Sequence, residues 1–158
     1  MKGLLLIIGL LISALTTQAK NHSEHINNGY HIGAGAGVAW LSEKSGEYSN
    51  YHFHLLKSIR HSEKWQFGIG YETILGNEAH HVFNIPLVYS PIHQLSLKVG
   101  PGLLFTRENN KMEINFTTHI ECIYEFEIGN IHLGPMIGFG ADKHGTHIGM
   151  GVHLGLSI

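Results

Sequence analysis

The stretch Thr146-His147-Ile148-Gly149-Met150-Gly151-Val152-His153-Leu154-Gly155-Leu156-Ser157-Ile158 decides the fold. From Ile148 onward every second residue is apolar, and the residues between are Gly, His and Ser. Side chains on a β-strand alternate between its two faces. This segment therefore reads as a strand with one apolar face and one face of small and polar groups.

The same period of two recurs upstream at 30–40, 51–59, 65–75, 81–89, 95–105, 112–128 and 131–139. No stretch of ten or more residues carries a helical period of apolar positions. With the segment above this gives eight strands. The intervening segments 42–50, 60–64, 76–79, 90–93, 107–111, 129–130 and 142–145 hold turn residues or charge and are read as connections. Pro86, Pro101 and Pro135 fall inside the strand pattern and are expected at bulges or early strand ends, because proline removes a ladder hydrogen bond.

Composition narrows the class. The chain has 158 residues, a formal charge of −2 and one cysteine. A single cysteine excludes a disulfide framework and a cysteine-type zinc module. The near-neutral charge leaves no footprint for nucleic acid. Only 14% of residues are charged while 43% are hydrophobic, and 20 Gly and 14 His fill the difference.

Two architectures suit a strand with one apolar face. A secreted lipocalin-like barrel turns that face inward; a membrane barrel turns it to lipid and packs the small and polar face inside. The strands are about 10–13 residues long and even in number, enough for tilted spans of ~9–11 residues. A glycine-rich face suits a narrow lumen and would only weaken a water-facing strand. Trp40, Tyr51, Trp65, Tyr89, Tyr124 and Phe126 fall near strand ends, as an interfacial girdle requires, and Lys57 sits where it can snorkel. The expected fold is all-β: an eight-stranded antiparallel up-and-down transmembrane β-barrel over 30–158, preceded by a cleaved signal peptide at 1–19 and a polar periplasmic leader at 20–29. The basic Met1-Lys2, the uncharged run 3–15, and Thr17 and Ala19 before the cut have the layout of a secretory signal. With both termini in the periplasm, 42–50, 76–79, 107–111 and 142–145 face outward as short loops.

The final strand, together with Asn84-Ile85-Pro86-Leu87 and Lys98-Val99-Gly100-Pro101-Gly102-Leu103, resembles the porin-like outer-membrane β-barrel group of Gram-negative bacteria. The resemblance spans nearly all of the mature chain, on loose motifs. It implies residence in the cell outer membrane, contact with outer-membrane lipid, and insertion by the barrel-assembly machinery, with the barrel a monomer. Family members usually end on an aromatic residue that this machinery reads; here the position is Ile158.

An eight-stranded barrel has an interior wide enough only for side chains. Hairpin registers put His52 opposite Glu72, and Lys98 opposite Glu121 or His119. These five residues are the expected lumen network of salt bridges and hydrogen bonds, with no cofactor and no catalysis. One alternative is a metal- or lipid-binding barrel: His52 and His54 share a face about 7 Å apart, and Glu72 completes a His₂Glu set. Another is a lipid A-modifying enzyme, but the serines are scattered, none follows a His-x-Ser pattern on a strand, and spacing sets no acid beside Ser157 and His153. His144 and His147 read as solvated loop residues, His80 and His81 point to opposite faces, and Cys122 reads as an apolar filler on the lipid face.

Overall fold

A computed structural model describes residues 29–158 apart from 61, 63, 77, 78, 109, 110 and 144. The expected signal peptide lies outside the described residues, as does the leader except for Gly29. The strands are β1 (Tyr30–Leu41), β2 (Lys44–Ser58), β3 (Trp65–Leu75), β4 (His80–Asn84), β5 (Leu87–Ile92), β6 (Leu95–Glu108), β7 (Lys111–Tyr124), β8 (Phe126–Ile128), β9 (Ile131–Asp142) and β10 (Thr146–Ser157). β4 and β5 both pair with β3 and β6, and β7 and β8 both pair with β9, so each couple forms one strand of the wall. β10 pairs with β9 on one side and β1 on the other, which closes the sheet. The result is an eight-stranded antiparallel barrel in which chain neighbours are wall neighbours.

Pro86 falls at an early strand end as expected, while Pro101 and Pro135 do not. Pro101 and Pro135 lie inside β6 and β9, and Pro86 lies in the two-residue break between β4 and β5. Register does not slip across that break: Gly70 pairs with Asn84 and Phe67 with Leu87, three residues further along both chains. Ile85 N–H donates to the Pro101 carbonyl at 3.0 Å, and Gly68 N–H to the Pro86 carbonyl at 3.1 Å. At Pro86 and Pro101 the missing N–H is confined to one rung while the carbonyl still accepts. The β7–β8 break at Glu125 lies opposite Gly134, next to Pro135, with Ile123 on Met136 before it and Phe126 on Leu133 after it.

Two expected connections are strands instead. The 42–50 segment contracts to a turn at Ser42-Glu43, because β2 starts at Lys44 and pairs Tyr48 with Ala39 and Ser49 with Val38. Gly46, with φ of 129°, sits where the register shifts between Ala39 and Leu41. The 90–93 segment is similar: β5 runs to Ile92, and Ser90 N–H donates to the Lys64 carbonyl at 2.8 Å. Polar composition there marks where the wall leaves the apolar zone while its backbone ladder continues.

The two faces are inverted relative to a water-soluble protein. Ile69 is 64% exposed and Phe116 65%, in a continuous outer belt with Phe53, Ile120 and Val152, whereas Glu72 is 2% exposed and Glu121 4%. Charges are almost never fully buried unless paired, and an apolar exterior of this extent is stable in lipid. The inward face therefore belongs to the polar residues, and a lipocalin-like arrangement with an apolar interior is excluded. At the end carrying the termini, Trp65 packs on Tyr89 with ring centroids 4.6 Å apart, and Lys57 reaches the Tyr30 hydroxyl at 3.4 Å. Inward aliphatic side chains flank the polar zone: Ala39, Ile74, Val82 and Leu104 toward the far end, Leu56 and Ile123 toward the termini.

Candidate functional site in the lumen

Histidine and glycine are complementary on the inner wall. His52 pairs in register with Gly35, His54 with Gly33 and Gly70, His153 with Gly35 and Gly134, and His119 with Gly100 and Gly140. A methyl group at Gly35 would overlap the His52 ring, and one at Gly140 the His147 ring. Each imidazole lies over a neighbouring backbone that carries no side chain, and the barrel holds six inward rings this way.

The middle of the lumen is an ion-pair network. Glu121 is paired with Lys98, its register partner across the β6–β7 hairpin. Its Oε1 also lies 3.3 Å from His52 Nδ1. Glu72 is paired with His119; Asn50 Nδ2 donates to Glu72 Oε1 at 3.0 Å, and His147 Nε2 lies 3.7 Å from the same oxygen. A buried carboxylate must be paired and hydrogen-bonded to be tolerated, and both carboxylates here have several partners.

Register does place His52 opposite Glu72, but the side chains make other contacts. His52 reaches Glu121, and Glu72 reaches His119. His52 and His54 stack with ring centroids 5.7 Å apart. The set His52, His54 and Glu72 divides: His54 converges with His31 and His153, Glu72 converges with His119 and His147, and His52 belongs to neither group. Within each group one ligand atom per residue lies within 4.8 Å of the others.

Toward the termini the lumen widens into a cavity of about 420 Å³. Its wall includes His31, His54, His153, Glu125, His132 and Ser157. Glu125 Oε1 lies 3.2 Å from His153 Nδ1, and Ser96 Oγ donates to Glu125 Oε2 at 3.2 Å. His132 Nε2 meets Ser157 Oγ at 2.7 Å, and His132 Nδ1 lies 3.3 Å from Glu127 Oε1. A hydroxyl, an imidazole and a carboxylate are thus in line, with Glu127 Oε2 also 3.0 Å from His93 Nε2. Hairpin counting misses His31, His153 and Glu125 because closure of β10 on β1 joins the two chain ends. Inward parity at His31 and His153 was the available signal. His147 is buried on β10, not in a solvated loop; His144 lies outside the described residues.

A closed eight-stranded antiparallel barrel, apolar outside and polar inside, is the architecture of small outer-membrane β-barrels. The chain is similar in fold to Neisserial surface protein A, with a TM-score of 0.60 and 9% identity over 82% of this chain and 97% of that one. It is similar to the N-terminal β-barrel domain of Pseudomonas aeruginosa OprF, with a TM-score of 0.59 and 10% identity over 84% and 98% of the two chains. The Yersinia pestis outer membrane protein Ail matches with a TM-score of 0.56 and 7% identity over 84% of this chain and 100% of its own. At these identities the likeness is one of fold. No family model matches the chain, and no curated protein matches it. Fold and lipid-facing surface together make this an integral membrane β-barrel with the fold of outer-membrane proteins.

Proposed function

We propose that the barrel is closed by its own side chains and serves a structural or small-ligand interaction role, without catalysis. It works as a monomer in outer-membrane lipid, delivered by the barrel-assembly machinery. The observation that carries this reading is the set of ion pairs spanning the lumen, His52 to Glu121 and Glu72 to His119. Side chains that meet across the interior narrow the water path at their level, and separating them exposes unpaired charge. The cavity near the termini is then a blind compartment suited to a small ligand. Swelling of liposomes carrying the refolded barrel tests this: a small sugar should enter no faster than into protein-free liposomes, and fast entry refutes closure.

A second reading is supported by the line of Ser157, His132 and Glu127. In it, Ser157 Oγ attacks a lipid ester carbonyl, His132 takes the hydroxyl proton and returns it to the leaving alkoxide, and Glu127 orients the imidazole. Ser157's own N–H is already donated to the Asn130 carbonyl at 2.9 Å, so it supplies no oxyanion contact. A fluorophosphonate probe that labels the native barrel and spares Ser157→Ala supports the hydrolase; an unlabelled native barrel removes it.

A further inference from the structure

Three of the inward histidines form a separate group. His153, His31 and His54 come from β10, β1 and β2, which are consecutive in the wall. Their rings are nearly parallel, with centroids 5.1 Å (His54–His153), 5.5 Å (His31–His54) and 5.9 Å (His31–His153) apart. A side chain at Gly33 would strike Nε2 of both His54 and His153, and one at Gly155 would strike the Nε2 edge of His31. Ring nitrogens therefore converge over a floor of two glycines.

Two of these rings, His54 and His153, lack the partners that buried imidazoles normally have. His153 is 0% exposed, and both of its ring nitrogens and both of those of His54 lack a hydrogen bond of good geometry, His153 Nδ1 having only the Glu125 carboxylate at ion-pair distance. Leaving a buried donor or acceptor unmade costs about 1–3 kcal/mol. Among the described residues no carboxylate is paired with His54, so its imidazole keeps a free lone pair. The other side of the group is built differently. His153 Nδ1 lies against Glu125, and Glu125 is held by Ser96. A carboxylate behind a histidine is the usual support for a metal-ligating imidazole, fixing its tautomer and raising its basicity.

We propose that His31, His54 and His153 bind one divalent transition-metal ion of the zinc type, with Glu125 as a positioning residue behind His153. Three imidazole nitrogens suit a borderline ion and do not suit calcium or magnesium, which take oxygen ligands. Tetrahedral bonds of about 2.0–2.1 Å set ligand nitrogens roughly 3.3 Å apart, so from the present separation of up to 4.8 Å the imidazoles turn out of their parallel stack toward a common point as they bind the ion. All three rings line the cavity of about 420 Å³, which supplies an entry path and room for a water as fourth ligand. This inference rests on reading that cavity as a ligand compartment, and it names the ligand.

Equilibrium dialysis against Zn²⁺ tests it, using the full mature chain without a histidine tag, refolded in detergent. The native barrel should retain one equivalent that His31→Gln and His54→Gln each lose, while His119→Gln keeps it. Glu125→Gln should weaken retention about 10–100-fold. Co²⁺ in place of Zn²⁺ should give a visible absorption band from the native protein and His119→Gln, and none from His54→Gln. Heat-modifiable gel mobility checks that each variant is folded. A folded native barrel that retains no metal overturns the site and leaves closure of the lumen, read by liposome swelling, standing. Retention lost in His119→Gln and kept in His54→Gln also overturns it, by assigning the ion to the Glu72 group.

Discussion

His52 Nδ1 lies 3.3 Å from Glu121 Oε1 although β2 and β7 stand on opposite sides of the wall, four strands apart in either direction. The same carboxylate holds Lys98 on β6. One side chain thus ties three strands together through the interior, which backbone ladders cannot do.

Removing that carboxylate's charge should be costly. Glu121→Gln keeps the size and leaves Lys98 buried without a counter-charge, so unfolding by urea from lipid vesicles should show a loss of about 3–5 kcal/mol. Replacing both ends, Lys98→Met with Glu121→Leu, removes the stranded charge and should recover most of it. Equal losses in the single and double variants would show that the pair is not what stabilises this level of the barrel.

Glycine at the inner wall should be a requirement of the facing ring. Gly35→Ala places a methyl group into the His52 imidazole, with an expected cost of about 1–3 kcal/mol from overpacking. Combined with His52→Ala the same methyl group should cost little. A double-mutant cycle measured by the same unfolding assay reads the difference, and additive losses would contradict the steric pairing.

The outer belt should respond to charge according to depth. Ile120, in register with Val99 and Phe139, sits mid-strand on the lipid face, and Met112 sits at the start of β7. Ile120→Arg should destabilise by about 2–4 kcal/mol and Met112→Arg by about 0–1 kcal/mol, measured as folding equilibria in vesicles. A reversed order would place the hydrocarbon zone elsewhere on the barrel.

The period of two in 146–158 and its upstream counterparts was enough to read the wall, because every strand of a membrane barrel must separate a lipid face from a lumen face. The rung of Lys98 was legible to within two residues, as Glu121 or His119, since a hairpin register depends only on its turn. The contact between His52 and Glu121 was not legible: it depends on barrel curvature and on the shear between strands that never pair. The same limit hid the meeting of His31 with His153, which needs the last strand to close on the first. At the strand ends the loss of apolar alternation in 42–50 marks the edge of the hydrocarbon zone and no loop, because backbone pairing outlasts that zone.

Single-barrel recording in planar bilayers tests closure of the lumen most directly. The native protein should pass no stepwise current, and the variant carrying both His52→Ala and Glu121→Ala should show discrete openings as the cross-lumen contact is lost. Steady stepwise conductance from the native barrel, unchanged in the double variant, would contradict a lumen closed by these side chains.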